Sequence, residues 1–470
     1  MTHAVAVPFW LLLIVAALAL WAFIEHFLTP SLRWFFRRRV NEVIQEINTR
    51  LKIEIPSFKL TRREVVIDRL FHDPAVKRAA QEWRDETNAS DEEAKSKVDR
   101  YAREIVPSFN AYVYFRLGYR CAKGFAKFLY RVRLGYADSQ SLASVNPKSS
   151  VVFVMNHRSN MDYILVAFLA AERTALSYAV GEWAQTWPLQ ALVRSLGAYF
   201  VRRNSKDELY RAVLQRYVQM ATEAGVCQAV FPEGGLTIDG KLRMPKLGLI
   251  DYMVKNFDPN CERDLVFVPV GVNYDRVLED RTLMLNQNDH AAARGVLYAV
   301  VTAFKFLLKN VRRMIAGRWY RFGYACVNFG APLSMRRYVS ERKIDFRTLN
   351  ETQRHAEVEQ LGRRLMGEIG RVIPVTPVAL VACVFALNPD KSFSELELKF
   401  AAYSLMTRLE GQGAHLYVPR QNHDYAITVG LRMLVLRDLV SERDGLFKAT
   451  QNELPLLAYY ANSIAHFIAT

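Results

Sequence analysis

A chain of 470 residues can bury one large core or two smaller ones. Its 63 Lys and Arg against 47 Asp and Glu leave a formal net charge of +16, which implies an anionic partner: nucleic acid, anionic lipid or a phosphorylated substrate. Nucleic acid is disfavoured, because the sequence has no zinc-ligand spacing, RNA-binding aromatic motif or basic-region heptad pattern. Cys121, Cys227, Cys261, Cys326 and Cys383 form no C-x-x-C pair, so they fit a reducing compartment rather than a disulfide framework or zinc site. No metal and no cofactor is expected.

Residues 4–24 are apolar apart from the single proline Pro8, long enough to cross the hydrocarbon core of a bilayer. Arg33, Arg37, Arg38 and Arg39 follow, interleaved with Trp34, Phe35 and Phe36. Arginines after the apolar run place the rest of the chain on the cytoplasmic side, and no Lys or Arg precedes it as a cleaved signal peptide requires. An N-terminal membrane helix over residues 1–30 is therefore expected. Hydropathy is equally compatible with a helix that dips into one leaflet.

Residues 31–140 read as helical, basic and membrane-proximal. Acidic residues at the start of 91–103 suit a helix N-terminus. Residues 110–134 alternate aromatics (Tyr112, Tyr114, Phe115, Tyr119, Phe125, Phe128, Tyr130) with Arg116, Arg120, Lys123, Lys127, Arg131 and Arg133. Such a helix either covers the core with a solvated charged face or lies on an anionic bilayer.

From 141 to 335 strands and helices alternate. Strands are expected at 151–155, 198–201, 227–231, 265–270 and 324–329, with helices at 209–224 and 247–254. The fold class is α/β, a largely parallel sheet flanked by helices. Ligands of such sheets bind beyond the carboxyl ends of the strands, and His157, Arg202, Arg203 and Glu233 each follow a predicted strand.

His157 and Asp162 follow the first of these strands. Residues five apart on one α-helix differ by roughly 140° and meet poorly. A strand-to-helix turn removes that obstacle, and an Asp on one imidazole nitrogen leaves the other free to act as a base. On its own such a pair is more often a satisfied structural histidine than a base.

Residues 336–470 read as mostly helical, notably at 350–370, 393–412 and 425–440. The apolar stretch 372–387 is broken by Pro374 and Pro377, so it reads as core rather than a second membrane span.

Four blocks in order carry a resemblance. Asn156-His157-Arg158-Ser159-Asn160-Met161-Asp162 resembles the first motif of the glycerolipid acyltransferases, and residues 197–203 (Gly-Ala-Tyr-Phe-Val-Arg-Arg) the second. Phe231-Pro232-Glu233-Gly234-Gly235 resembles the third, and residues 268–274 (Val-Pro-Val-Gly-Val-Asn-Tyr) the fourth. Residues 245–249, 327–332 and 457–463 are similar to the branch that acylates glycerol 3-phosphate or dihydroxyacetone phosphate.

The resemblance implies a membrane-bound O-acyltransferase that moves a fatty acyl group from acyl-CoA or acyl carrier protein to a hydroxyl. Position 1 of glycerol 3-phosphate is the expected acceptor. His157 and Asp162 would be the catalytic pair, and Arg202, Arg203, Glu233, Gly234, Gly235 and Lys246 would bind substrate. Anionic membrane lipids are expected partners, and the catalytic region would sit on the cytoplasmic face, of the inner membrane in a bacterium. One departure matters: where that branch has phosphate-holding arginines after the third motif, this chain has Leu236 and Ile238. Dihydroxyacetone phosphate, a lysophospholipid, a polyol lacking phosphate, or a noncatalytic lipid-binding role therefore stand as alternatives.

Overall fold

The computed structural model describes residues 56–170, 175–181, 189–202, 205–288 and 322–468. The expected membrane helix, the arginines that follow it, and Arg203 lie outside the described residues. No described helix is long and apolar enough to cross a membrane.

The scaffold is a mixed sheet of eight strands: β1 (Arg131–Ala137), β2 (Ser150–Met155), β3 (Ser177–Gly181), β4 (Tyr199–Val201), β5 (Gln228–Val230), β6 (Leu265–Tyr274), β7 (Tyr324–Phe329) and β8 (Leu333–Ser334). Their order is β1-β7-β6-β2-β5-β3-β4, with β8 paired to β6. The strands β2 to β6 run parallel to their sheet neighbours in that group, whereas β7 and β8 are antiparallel to β6. The largely parallel α/β layer expected from the alternating pattern is present.

Every residue of β2 and β6 is buried, as a strand covered on both faces requires. Side chains alternate across a strand, so β2 feeds two cores. Val152 and Val154 pack towards the helices α1 (Arg63–His72), α3 (Asp91–Ile105), α6 (Glu208–Glu223), α7 (Gly248–Val254) and α8 (Glu351–Val372). Helix α2 (Pro74–Thr87) packs outside them, on α3 and α6. Val151, Phe153 and Met155 join α4 (Tyr119–Leu129), α5 (Met161–Ala170) and the C-terminal helices α9 (Pro377–Leu387), α10 (Glu395–Gly411), α11 (His423–Val435) and α12 (Leu454–Ala461). The start of α3 is fixed by a capping box between Ser90 and Glu93, which satisfies two free N–H groups at the helix end.

One sequence expectation needs correction. The stretch 110–134 is not one helix: a π-helical turn and α4 end at Leu129, and Arg131 opens β1. Arg131-Val132-Arg133-Leu134 alternates with period two, which suits an exposed edge strand better than a helix. Arg131 and Arg133 accordingly face Tyr324 and Tyr417 instead of extending a basic helical face. The C-terminal region is mostly helical, and Phe393–Ser394, Val440–Arg443 and Leu446–Ala449 add a small antiparallel sheet.

Helix α9 is buried from Pro377 to Phe385, and Asp275 at the end of β6 ties it to the main sheet. Its Oδ1 accepts from Val378 N at 3.1 Å and its Oδ2 from Tyr324 N at 2.8 Å. Burial pushes this carboxyl up to about 6 from its ordinary 3.8. The folded state thus keeps a proton that the unfolded chain releases, so the contribution is complete below the ordinary value and is lost as pH rises through about 6. Asp275→Ala, which strands two buried N–H groups, should cost about 2–5 kcal/mol in denaturant unfolding and flatten the decline in stability between about pH 4 and 6.

Candidate active site

Strand β2 ends where Asn156 substitutes its side chain for a ladder partner. Its Nδ2 donates to Val272 O and its Oδ1 accepts from Val272 N, both at 2.8 Å. The main chain is thereby free to leave the sheet, and residues 157–160 form a turn into α5.

That turn brings His157 and Asp162 together. His157 Nδ1 lies 3.0 Å from Asp162 Oδ2, which also accepts from Arg158 N at 2.7 Å and Ser159 N at 3.0 Å. Asp162 sits in the first turn of α5, where the positive end of the helix dipole favours a carboxylate. Its other oxygen accepts from Tyr274 Oη at 2.5 Å. Both oxygens of a carboxylate with no solvent exposure are therefore satisfied.

The imidazole is clamped between rings. Phe231 lies 4.0 Å from it, tilted by 30°, and Tyr163 presents an edge at 5.4 Å. Since Nδ1 is engaged by Asp162 and His157 lines the adjoining cleft, Nε2 is the nitrogen left for a ligand.

Glu233 follows β5 and is 4% exposed. Its Oε1 accepts from His157 N at 2.8 Å and its Oε2 from Arg243 N at 3.1 Å. Thr237 N donates to His157 O at 3.0 Å, so the Glu233 loop holds both backbone groups of the histidine. Burial pushes the Glu233 carboxyl up to about 7. Its geometry is that of a brace for the turn.

Gly234 has φ +69, and a Cβ there would lie 2.5 Å from Lys246 Cδ. The absence of a side chain lets the aliphatic part of Lys246 cross the loop beside the cleft, while Lys246 N donates to Pro232 O at 2.7 Å. Gly235 follows in the same loop. Leu236 packs against the core and Ile238 is exposed, so neither supplies a cation.

The cleft has a volume of about 360 Å³ and opens at the carboxyl ends of β3, β4 and β5. Val180, Val201, Val230, Leu249 and Ile250 give it apolar walls, and Arg202, Arg211 and Lys246 bring positive charge. Arg202 is already gripped by Glu104, at 2.8 Å from Nε and 2.5 Å from Nη2, and lies over the rings of Tyr101 and Tyr210. Of the sequence-predicted site residues, His157, Arg202, Gly234 and Lys246 line one cleft, with Asp162 and Glu233 behind it.

Sequence reasoning did not assign roles to Tyr274, Glu279 or the C-terminal segment. Glu279 accepts from Ser159 Oγ at 2.7 Å and from Asn160 N at 3.2 Å. Arg158, 2% exposed, donates to Gly240 O at 2.6 Å and lies 4.7 Å from the Tyr459 ring centroid. Asn462 donates to Asp239 O at 2.8 Å, which draws the C-terminal segment onto the same loop. Among the described residues no group of three or more His, Cys, Asp or Glu side chains is arranged to hold a metal ion.

Residues 138–273 match the family model described as acyltransferase, and residues 305–470 match the glycerol-3-phosphate acyltransferase C-terminal region. Over these two stretches the chain is similar to glycerolipid acyltransferases. The glycerol-3-phosphate acyltransferase of Pseudomonas syringae pv. tomato is 25% identical over 435 residues, covering 89% of this chain and 50% of that protein. The enzyme of the same name from Pseudomonas paraeruginosa is 25% identical over 445 residues, covering 92% and 52%. The chain spans about half the length of the curated relatives it matches. The crystal structure of the 1-acyl-sn-glycerophosphate (LPA) acyltransferase PlsC from Thermotoga maritima is 15% identical, covers 71% of this chain and 97% of its own, and gives a TM-score of 0.31.

Gly240 tests the contact between its loop and the C-terminal segment. It has φ +85, and a Cβ there would lie 2.0 Å from Tyr459 O. Gly240→Ala should destabilise the chain by more than about 2 kcal/mol, read as a lowered thermal midpoint, with faster proteolysis of residues 454–468.

Proposed function

We propose that this chain transfers a fatty acyl group from a thioester, acyl-CoA or acyl carrier protein, to a hydroxyl of a small acceptor, with position 1 of glycerol 3-phosphate as the acceptor. The observation that carries the reading is the His157–Asp162 contact of 3.0 Å beside an apolar-walled cleft. His157 Nε2 removes the acceptor's proton as the hydroxyl oxygen attacks the thioester carbonyl. Asp162 holds the ring and stabilises the imidazolium that forms. The tetrahedral intermediate then collapses, the carbon–sulfur bond breaks, and the imidazolium returns the proton to the leaving thiolate.

The backbone N–H groups of the 157–160 turn are all bonded to carboxylates, which turns them away from the role of oxyanion donors. For the acceptor phosphate, Lys246 is the cleft cation with no carboxylate partner among the described residues. Arg202 and Arg203 belong to the same proposal, with Arg202 sharing its charge with Glu104. A second reading, a hydroxyl acceptor without phosphate, is favoured by that ion pair and by Leu236 and Ile238. The apolar run 4–24 and the arginines after it support attachment to the cytoplasmic face of a membrane.

Two measurements test these readings. His157→Ala should abolish acyl transfer while donor binding and the thermal midpoint stay close to wild type, and Asp162→Asn should keep the fold but lower kcat strongly. Near-normal turnover of purified His157→Ala removes the proposal. Lys246→Ala should raise the Michaelis constant for glycerol 3-phosphate roughly ten- to a hundred-fold, the cost of one charge-assisted contact, and leave the donor's unchanged. An enzyme that acylates glycerol as well as its phosphate and ignores Lys246→Ala takes a neutral acceptor.

A further inference from the structure

We propose that Tyr274 and Glu279, at the end of β6 and in the loop after it, are positioning residues for acyl transfer: they lock the Asp162 carboxylate and the 157–160 turn so that His157 meets the acceptor with its free nitrogen. This rests on the acyl-transfer reading of the same site.

Tyr274 is fully buried, its ring 5.3 Å from that of Tyr130, so its hydroxyl has a fixed direction. That hydroxyl is the donor to Asp162 Oδ1, while Oδ2 takes the histidine and two backbone N–H groups. A carboxylate gripped at one oxygen alone can twist about its last bond and carry the imidazole with it. The hydroxyl on the opposite oxygen removes that freedom.

Glu279 acts on the turn itself. Its Oε2 accepts from Ser159 Oγ, which in turn accepts from Met161 N at 3.1 Å at the start of α5. Its Oε1 accepts from Asn160 N at 3.2 Å and Asn160 Nδ2 at 3.1 Å. Glu279 thus holds the side of the turn opposite to Glu233. One carboxylate fixes the backbone at the histidine and the other fixes it three residues on, so the ring cannot pivot from either end. A general base must sit within hydrogen-bond reach of the proton it removes, and small displacements of such a group cost rate more than binding.

The experiment compares full-length Tyr274→Phe, Glu279→Gln and His157→Ala in steady-state acyl transfer, with donor and acceptor varied separately. Tyr274→Phe and Glu279→Gln should each lower kcat roughly ten- to a hundred-fold while both Michaelis constants stay within about two-fold, the pattern of a lost transition-state alignment. The low-field proton resonance of the His157–Asp162 hydrogen bond should shift in Tyr274→Phe. Adding Ser159→Ala to Glu279→Gln should cost less than the sum of the two single changes, because they share the Ser159–Glu279 contact. Should Tyr274→Phe fail to fold, the Glu279 and Ser159 variants decide the question.

A folded Glu279→Gln with wild-type kcat overturns the proposal, as does a variant whose only change is a lower thermal midpoint. If His157→Ala is inactive while both positioning variants turn over normally, this inference falls and the acyl-transfer reading stands. If His157→Ala itself stays active, the acyl-transfer reading falls first.

Discussion

Four successive backbone N–H groups, from His157 to Asn160, end on carboxylate oxygens, and the site depends on that constraint. A turn of this kind would otherwise expose donors in a buried place, where each unpaired group costs about 1–3 kcal/mol. Asp162 meets two from within the turn, Glu233 meets one from the loop after β5, and Glu279 meets one from the loop after β6. The parallel sheet makes this possible, because β2, β5 and β6 deliver their following loops to one edge. Burial raises the carboxyls of Glu233 and Glu279, because their charged forms are taken out of water.

Much of this was legible in the sequence, and the reasons are specific. Val151 to Met155 form an uninterrupted apolar run because β2 is covered on both faces, so the strand and its abrupt end at Asn156 could be read directly. The His157–Asp162 spacing pointed to a strand-to-helix turn, and the structure has one. Short strands were harder. Ser177–Gly181 carries no longer pattern than a loop, and β1 lay hidden in an aromatic-basic stretch whose helical first half masked the two-residue period of its second.

The braces escaped notice for a different reason. Tyr274 and Glu279 lie more than a hundred positions from the turn they hold, and nothing local distinguishes a buried brace from a solvated acid. Arg202 illustrates the converse. Its position after a strand, next to a second arginine, suggested a free phosphate grip, whereas Glu104 from α3 already holds most of its hydrogen-bonding edge. Ion pairing across distant segments cannot be read from spacing.

The contact of Arg158 with Gly240 and Tyr459 bears on how this protein can be divided. Arg158 belongs to the turn, Gly240 to the loop after β5, and Tyr459 to α12 near the end of the chain. A guanidinium that is almost wholly enclosed by these three segments needs all of them for its enclosure. The two stretches that family models treat as separate, 138–273 and 305–470, are therefore not interchangeable modules. Recombination between distant relatives would have to carry Tyr459 together with Arg158 and Gly240. Otherwise it would leave a buried charge facing a mismatched surface beside the histidine.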